Sequence, residues 1–162
     1  MPAGKKPVQI GFLADHREAA PLLAEWFYQE WSFMYPGWTV RDFGRMINRR
    51  TNRDRLPLIF VACRGDEPVG MVSMKRHDRG APARLGPWIT SLYVREDLRR
   101  KGIGRMLMSA VEEKASRLGI GELFLITYRL EPFYRRLGWT ELDQANHDGY
   151  VISIMSKRLT RP

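Results

Sequence analysis

Seven consecutive residues, Arg99-Arg-Lys-Gly-Ile-Gly-Arg105, concentrate more chemistry than any other stretch of this 162-residue chain. They follow a strand-like segment, Ile89-Thr-Ser-Leu-Tyr-Val94, and the turn Arg95-Glu-Asp-Leu98. They also open a helical pattern that runs to Leu118. Backbone N–H groups at a helix start have no intrahelical partner and carry partial positive charge. Gly102 and Gly104 let an anion reach that backbone with no Cβ in the way. Arg99, Arg100, Lys101 and Arg105 surround the approach with formal charge. The chemistry on offer is the holding of a pyrophosphate, although a basic turn ahead of an ordinary helix has the same composition. Two other phosphate motifs are excluded. Gly-x-x-x-x-Gly-Lys-Ser/Thr is absent, and Ser109 and Ala110 follow where a dinucleotide fingerprint needs its third glycine.

The remaining reactive side chains are sparse. Phe133-Tyr-Arg-Arg-Leu-Gly-Trp139 places a phenol, Tyr134, in a short helical segment after a strand. Cys63 stands alone in an apolar strand and reads as core; with one cysteine, no intrachain disulfide forms and a reducing cytoplasm is the default compartment. His16 and His147 read as loop residues. No His, Cys, Asp or Glu cluster has metal-ligand spacing, so no metal is expected. No Ser–His–Asp arrangement is present.

The basic run and the Tyr134 segment together resemble the GNAT superfamily of N-acetyltransferases. Arg99-x-x-Gly102-x-Gly104 matches that family's Gln/Arg-x-x-Gly-x-Gly/Ala signature, and Tyr134-x-x-x-Gly138-Trp139 is similar to its Tyr-x-x-x-Gly-Phe/Trp element. The resemblance implies an α+β acyl-CoA acyltransferase fold: a mixed, mostly antiparallel central sheet flanked by helices on both faces, forming one domain over 1–162. It implies acetyl-CoA as co-substrate and an amine acceptor, on a small molecule or a peptide, with direct transfer in a ternary complex. It further implies that the backbone of Leu92, Tyr93 and Val94 pairs with the pantetheine arm, the Val94 amide facing the thioester carbonyl. The pyrophosphate then falls to Arg99, Arg100, Lys101, Gly102, Ile103, Gly104 and Arg105, and Tyr134 becomes the acid that protonates the departing thiolate.

The sequence departs from the family pattern in two places. Thr127 stands where an Asn usually contacts the pantetheine arm, and one hydroxyl cannot copy both roles of an amide. Ser91 stands where many members carry a glutamate that orients a water. The acceptor's proton must therefore leave another way, through water to His77, Asp78 or Glu30. The missing carboxylate keeps a second reading open, a non-catalytic acyl-CoA sensor or interaction protein of the same fold.

The elements that position these residues follow from pattern. Val8–Leu13 reads as a strand. Asp15 and Glu18 form a possible capping box for a helix to about Trp31, with Pro21 marking a kink or a late start. Thr39 caps a second helix to about Arg53, with Val40, Phe43, Met46 and Ile47 on its apolar side and Arg41, Arg45, Arg49 and Arg53 in a stripe. Strands are expected over 57–64, 69–76 and 88–94, then the helix over 102–118. A strand over 123–127 and a helical turn over 131–137 precede two strands, 139–142 and 150–155. The family resemblance implies an acceptor between Trp26–Trp38 and Gln144–Val151, where Trp26, Tyr28, Trp31, Tyr35 and Trp38 make an aromatic wall. The arginine stripe beside it should draw anionic acceptors.

Bulk composition bounds these readings. Hydrophobic residues make up 44% and charged residues 28%, as in an ordinary globular chain, and a core of useful size fits in one domain. The net charge of +9 calls for a polyanionic partner, which nucleic acid, anionic lipid or a phosphorylated cofactor would all satisfy. No helix-turn-helix, zinc-finger or RNA-binding aromatic motif supports the first. No apolar run is long enough to span a bilayer, and no signal-peptide core follows the basic Met1–Pro7 stretch. A homodimer is left open.

Overall fold

The computed structural model describes residues 6–147 and 149–160. Most of the basic N-terminal stretch and Asp148, within the expected acceptor segment, lie outside the described residues. Strands β1 (Val8–Phe12), β2 (Leu58–Arg64), β3 (Glu67–Lys75), β4 (Trp88–Val94), β5 (Glu122–Thr127), β6 (Thr140–His147) and β7 (Tyr150–Arg158) form one sheet. Its order is β1-β2-β3-β4-β5-β7-β6. Every neighbouring pair is antiparallel except β4 and β5.

Both faces of the central strands are buried, so their side chains alternate between two cores. Leu58, Phe60 and Ala62 face one cluster with Ile103, Leu107 and Val111 of helix α3 (Ile103–Arg117). Ile59, Val61 and Cys63 face the other, with Leu23 and Phe27 of helix α1 (Ala20–Trp31) and Phe43 and Ile47 of helix α2 (Val40–Asn48). Helix α4 (Glu131–Arg136) joins the α3 side through Tyr134. Cys63 is buried core, as its apolar neighbours indicated.

Three local differences from the sequence reading have physical causes. Asp15 and Glu18 form no capping box: two short 3₁₀ turns precede α1, Pro21 lies in its first turn, and the Asp15 carboxylate pairs with Arg53. Thr39 does cap α2, reciprocally with Asp42. The Asp42 N–H donates to Thr39 Oγ1 at 3.3 Å and the Thr39 N–H donates to Asp42 Oδ2 at 2.8 Å. But α2 stops at Asn48, where the Thr51 hydroxyl donates to the Asn48 carbonyl and Thr51 bridges to Leu58. The arginine stripe is therefore broken, with Arg41 and Arg45 on the helix, Arg49 at its cap and Arg53 beyond it. Finally, β6 and β7 are longer than expected, and His147 ends a strand instead of lying in a loop. β6 is an edge strand, and its polar residues read as loop because an edge tolerates polarity on both faces. Among the described residues, no helix is long and apolar enough to cross a membrane.

Candidate active site

The basic loop folds as an uncapped helix start. Gly102 is the N-cap residue of α3 with φ +86°, and no side chain caps the first-turn N–H groups. A Cβ at Gly102 would meet nothing within 4 Å, so the approach to these N–H groups is open. Arg100 also has positive φ, +62°. Ile103 is only 4% exposed and anchors the turn in the core, so only its backbone is available to a ligand. Arg100, Lys101 and Arg105 are exposed. Arg99 is committed elsewhere: its Nε donates to the Val94 carbonyl at 2.8 Å and its guanidinium lies 5.5 Å from the Tyr93 ring centre. It ties the loop to the end of β4.

β4 parts from β5 almost as soon as they meet. The two strands pair only at Trp88–Phe124 and Ile89–Leu125. Beyond that, β4 carries a bulge: Thr90 opposes Ser73 and Tyr93 opposes Met71, leaving Ser91 and Leu92 opposite one residue. Ser91 takes the strained φ of +59°. The Arg95 N–H donates to Val69 O at 2.9 Å, which makes the next pair, Gly70–Val94, a non-hydrogen-bonded one. The Val94 N–H and C=O therefore turn away from β3, toward the gap, where Arg99 already satisfies the carbonyl. The N–H remains available. Meanwhile Leu92 and Val94 pack on the α3-side core and Tyr93 on the opposite one.

On the α3 side, α4 closes against the start of α3 and the end of β4 through Phe133, and Tyr134 enters the core beside it. Tyr134 is 7% exposed and its ring packs against Phe133 and Trp139, with centroids 5.0 and 6.3 Å away. Burial alone pushes its phenol up to about 12. Gly104 makes this closure possible: a Cβ there would sit 3.4 Å from Phe133 Cζ and 3.9 Å from Val94 Cγ2. α3, α4 and β4 thus converge on one glycine. α4 is locked in place by Glu112, which accepts from Trp139 Nε1 at 2.9 Å and from Lys157 Nζ at 3.0 Å. Thr127 is buried at 5% exposure, opposite Ser153 of β7. A surface groove of about 280 Å³, lined by Arg105, Ser109, Arg136 and Lys157 among others, continues from the loop between α3 and α4.

The opposite face is built from side chains. The Trp26 ring packs on Tyr93 with centroids 4.8 Å apart and planes tilted by 34°, coupling α1 to β4. Of the expected aromatic wall only Trp26 is buried; Trp31, Tyr35 and Trp38 are half-buried against the core, and Tyr28, Tyr35 and Trp38, with Phe27, surround fully buried Phe43 at 5.2–6.4 Å. Tyr28 is the most open of the wall, at 42% exposure. Of the expected proton acceptors, Asp78 is paired with Lys75 at 2.9 Å. Burial, and then the Glu30 carboxylate, push the Tyr93 phenol up, so Glu30 acts on this face. Sequence reading missed Arg50, which is 7% exposed and donates to Ser73 Oγ at 2.9 Å. Its signal was phase: Phe43, Ile47 and Arg50 follow one another at spacings of four and three, continuing the buried side of α2 just past its end.

Comparison with known proteins agrees with this geometry. The family model described as acetyltransferase (GNAT) family matches residues 21–139. An uncharacterized N-acetyltransferase of Chlorobaculum tepidum is 39% identical over 56 residues, covering 35% of this chain and 36% of that protein. L-ornithine N5-acetyltransferase of Arabidopsis thaliana is 37% identical over 60 residues, 35% of this chain and 26% of that protein. The match thus spans about a third or less of either relative. Among solved structures, an aminoglycoside 6'-N-acetyltransferase complexed with coenzyme A superimposes with a TM-score of 0.70 at 15% identity, covering 95% of this chain and 99% of that one. At that identity the likeness concerns the fold.

Proposed function

The chain belongs to the acetyltransferase (GNAT) family, and from that premise we propose that it transfers an acetyl group from acetyl-CoA to an amine by direct attack in a ternary complex, within one domain over 1–162. One observation carries this reading: the parting of β4 from β5 and the uncapped glycine start of α3 lie at the same end of β4, joined by Arg99. An open strand edge suits an amide-bearing arm, and the helix start suits the pyrophosphate that follows it. The basic groove at Arg105 and Arg136 suits the remaining phosphate of the nucleotide end.

Bound acetyl-CoA supplies an acyl group already activated as a thioester. The protein's work is positioning and charge stabilisation. The Val94 N–H, turned toward the gap, donates to an oxygen placed there. The N–H groups of Ile103, Gly104 and Arg105, with Arg100 and Lys101, hold the pyrophosphate. Leu92 and Tyr93 offer backbone to the arm, and the Thr127 hydroxyl takes the place of the family's amide. Tyr134 holds a proton for the departing sulfur. With its phenol pushed up to about 12 it is fully protonated at neutral pH, yet a weaker acid than an exposed tyrosine. Asp78 is already paired, so Glu30 and His77 are left to take the acceptor's proton through water.

The test is free-thiol release from acetyl-CoA with and without a panel of amines. Amine-dependent release is expected. Tight acetyl-CoA binding with no release for any amine would instead favour the sensor reading, which the lack of a carboxylate along Trp88–Val94 keeps in view.

A further inference from the structure

We propose that Arg50 selects the acceptor by binding a carboxylate that the amine substrate carries, an inference that rests on the acetyl-transfer reading above. Arg50 lies just past the end of α2, and its guanidinium reaches β3, where one N–H donates to Ser73 Oγ at 2.9 Å. The Ser73 hydroxyl in turn donates to the Leu58 carbonyl at 3.3 Å. One face of the guanidinium looks onto the Phe27 ring, 5.9 Å from its centre. Among the described residues, no carboxylate forms an ion pair with it. The Tyr35 phenol and then Asp78 act on it only at longer range, and Asp78 is itself paired with Lys75 at 2.9 Å.

A guanidinium presents five donors in a rigid fork, and here the protein uses one side of it. A cation withdrawn from water with no counter-charge is costly. That cost is offset when an anion arrives. A single fork matches a carboxylate, which takes two parallel N–H bonds from one arginine.

Its position ties it to the transfer site. Ser73 is the cross-strand partner of Thr90, the residue before the bulge at Ser91. Neighbouring strands lie about 4.8 Å apart, so the guanidinium sits roughly one strand from where β4 leaves β5. Ser73 shares its face with Met71, which packs in the α1–α2 core, opposite Tyr134 and α3. A carboxylate held there places its amine on the far side of the gap from the cofactor loop. A second polar group marks the same spot: Thr90 Oγ1 is enclosed and has no hydrogen-bond partner among the described residues.

The test compares matched amines that differ only in a carboxylate: lysine against cadaverine, and the peptide Asp-Ala-Ala-amide against Asn-Ala-Ala-amide. The two arms separate a free amino acid from an acidic peptide. In the wild-type chain, the carboxylate-bearing member of at least one pair should have a kcat/KM at least about tenfold higher, expressed in KM. In Arg50→Met that preference should fall to within about twofold, while turnover of the carboxylate-free member and the KM for acetyl-CoA stay within about twofold of wild type. Arg50→Lys, which keeps the charge but not the fork, should retain an intermediate preference; with the wild-type comparison it decides the matter if Arg50→Met does not fold. Equal rates within both pairs in the wild type, equal losses on both members in Arg50→Met, or a preference that survives it would each overturn the assignment. Turnover without a carboxylate preference overturns the role of Arg50 alone. No turnover of any of the four amines, with acetyl-CoA still bound, overturns the acetyl-transfer reading and this inference with it.

Discussion

The two faces of the sheet meet at the gap between β4 and β5, but they are built by different means. On the α3 side the proposed recognition elements are backbone: the Val94 N–H, the strand edge at Leu92–Val94 and the uncapped turn at Gly102–Arg105. On the α1–α2 side they are side chains drawn from separate elements, with Arg50 over Ser73, Trp26 on Tyr93, and an aromatic shell around Phe43. The backbone side depends on space and conformation and is indifferent to most side-chain changes. On the side-chain side, a single substitution of a group such as Arg50 would be enough to alter what is recognised. A shared co-substrate suits the first construction, and a variable acceptor suits the second.

Tyr134→Phe probes the junction of the two faces and carries the largest expected effect. The general-acid role predicts a drop in kcat of about a hundredfold, the low end of the usual range because burial makes this phenol a weaker acid. Acetyl-CoA affinity should stay within a few-fold. The melting temperature should hold or rise, since among the described residues no hydrogen bond to this hydroxyl offsets its burial. Steady-state kinetics and a melting curve on the one variant suffice. An unchanged kcat assigns the proton to water and leaves Tyr134 as packing alone.

A pair of glycines sharpens the claim that the cofactor side is made of backbone. Gly102 and Gly80 have similar positive φ, +86° and +78°, and a Cβ at either meets nothing within 4 Å. Alanine should cost each about 1 kcal/mol of backbone strain. Only Gly102→Ala should also weaken acetyl-CoA, by about tenfold, because only there does the methyl occupy the anion's approach. Equal affinities for the two variants, measured by calorimetry, break the comparison.

A further effect is alkaline and reads stability instead of activity. Burial pushes the folded Tyr134 phenol up to about 12 from an ordinary value of 10.0, so the unfolded chain loses this proton first. The resulting stability is fully present below about pH 10 and is lost as pH rises toward 12, amounting to roughly 2–3 kcal/mol at the end of that window. Denaturant melts of wild type and Tyr134→Phe at pH 9 and 11.5 should show the wild type losing more. Parallel losses remove this phenol from the account.

The same contrast explains what was legible in the sequence. The strand, glycine loop and helix over 89–118 are contiguous, and local rules of capping and phase apply to them without tertiary help. So are the strand and turn that carry Tyr134. Arg50, Ser73 and Thr90 come from three elements, and nothing local links them until β3 pairs with β4. The charge of Arg99 is legible in the sequence, but the bond from its Nε to the Val94 carbonyl is not, because it needs the turn at 95–98 to fold first. The α2 stripe misled for a similar reason: the four-residue spacing from Arg41 to Arg53 assumed a continuous helix, and a bridge between Thr51 and Leu58 ends it.

The most direct measurement is a crystal structure of this chain with coenzyme A. The account predicts the pantetheine arm against the backbone of Leu92–Val94, in the gap left by β5, and the pyrophosphate on the N–H groups that follow Gly102. Coenzyme A seated elsewhere, for instance in the basic cleft of Arg17, Arg53 and Arg55 beyond the far end of α3, with the β4–β5 gap closed, would contradict it.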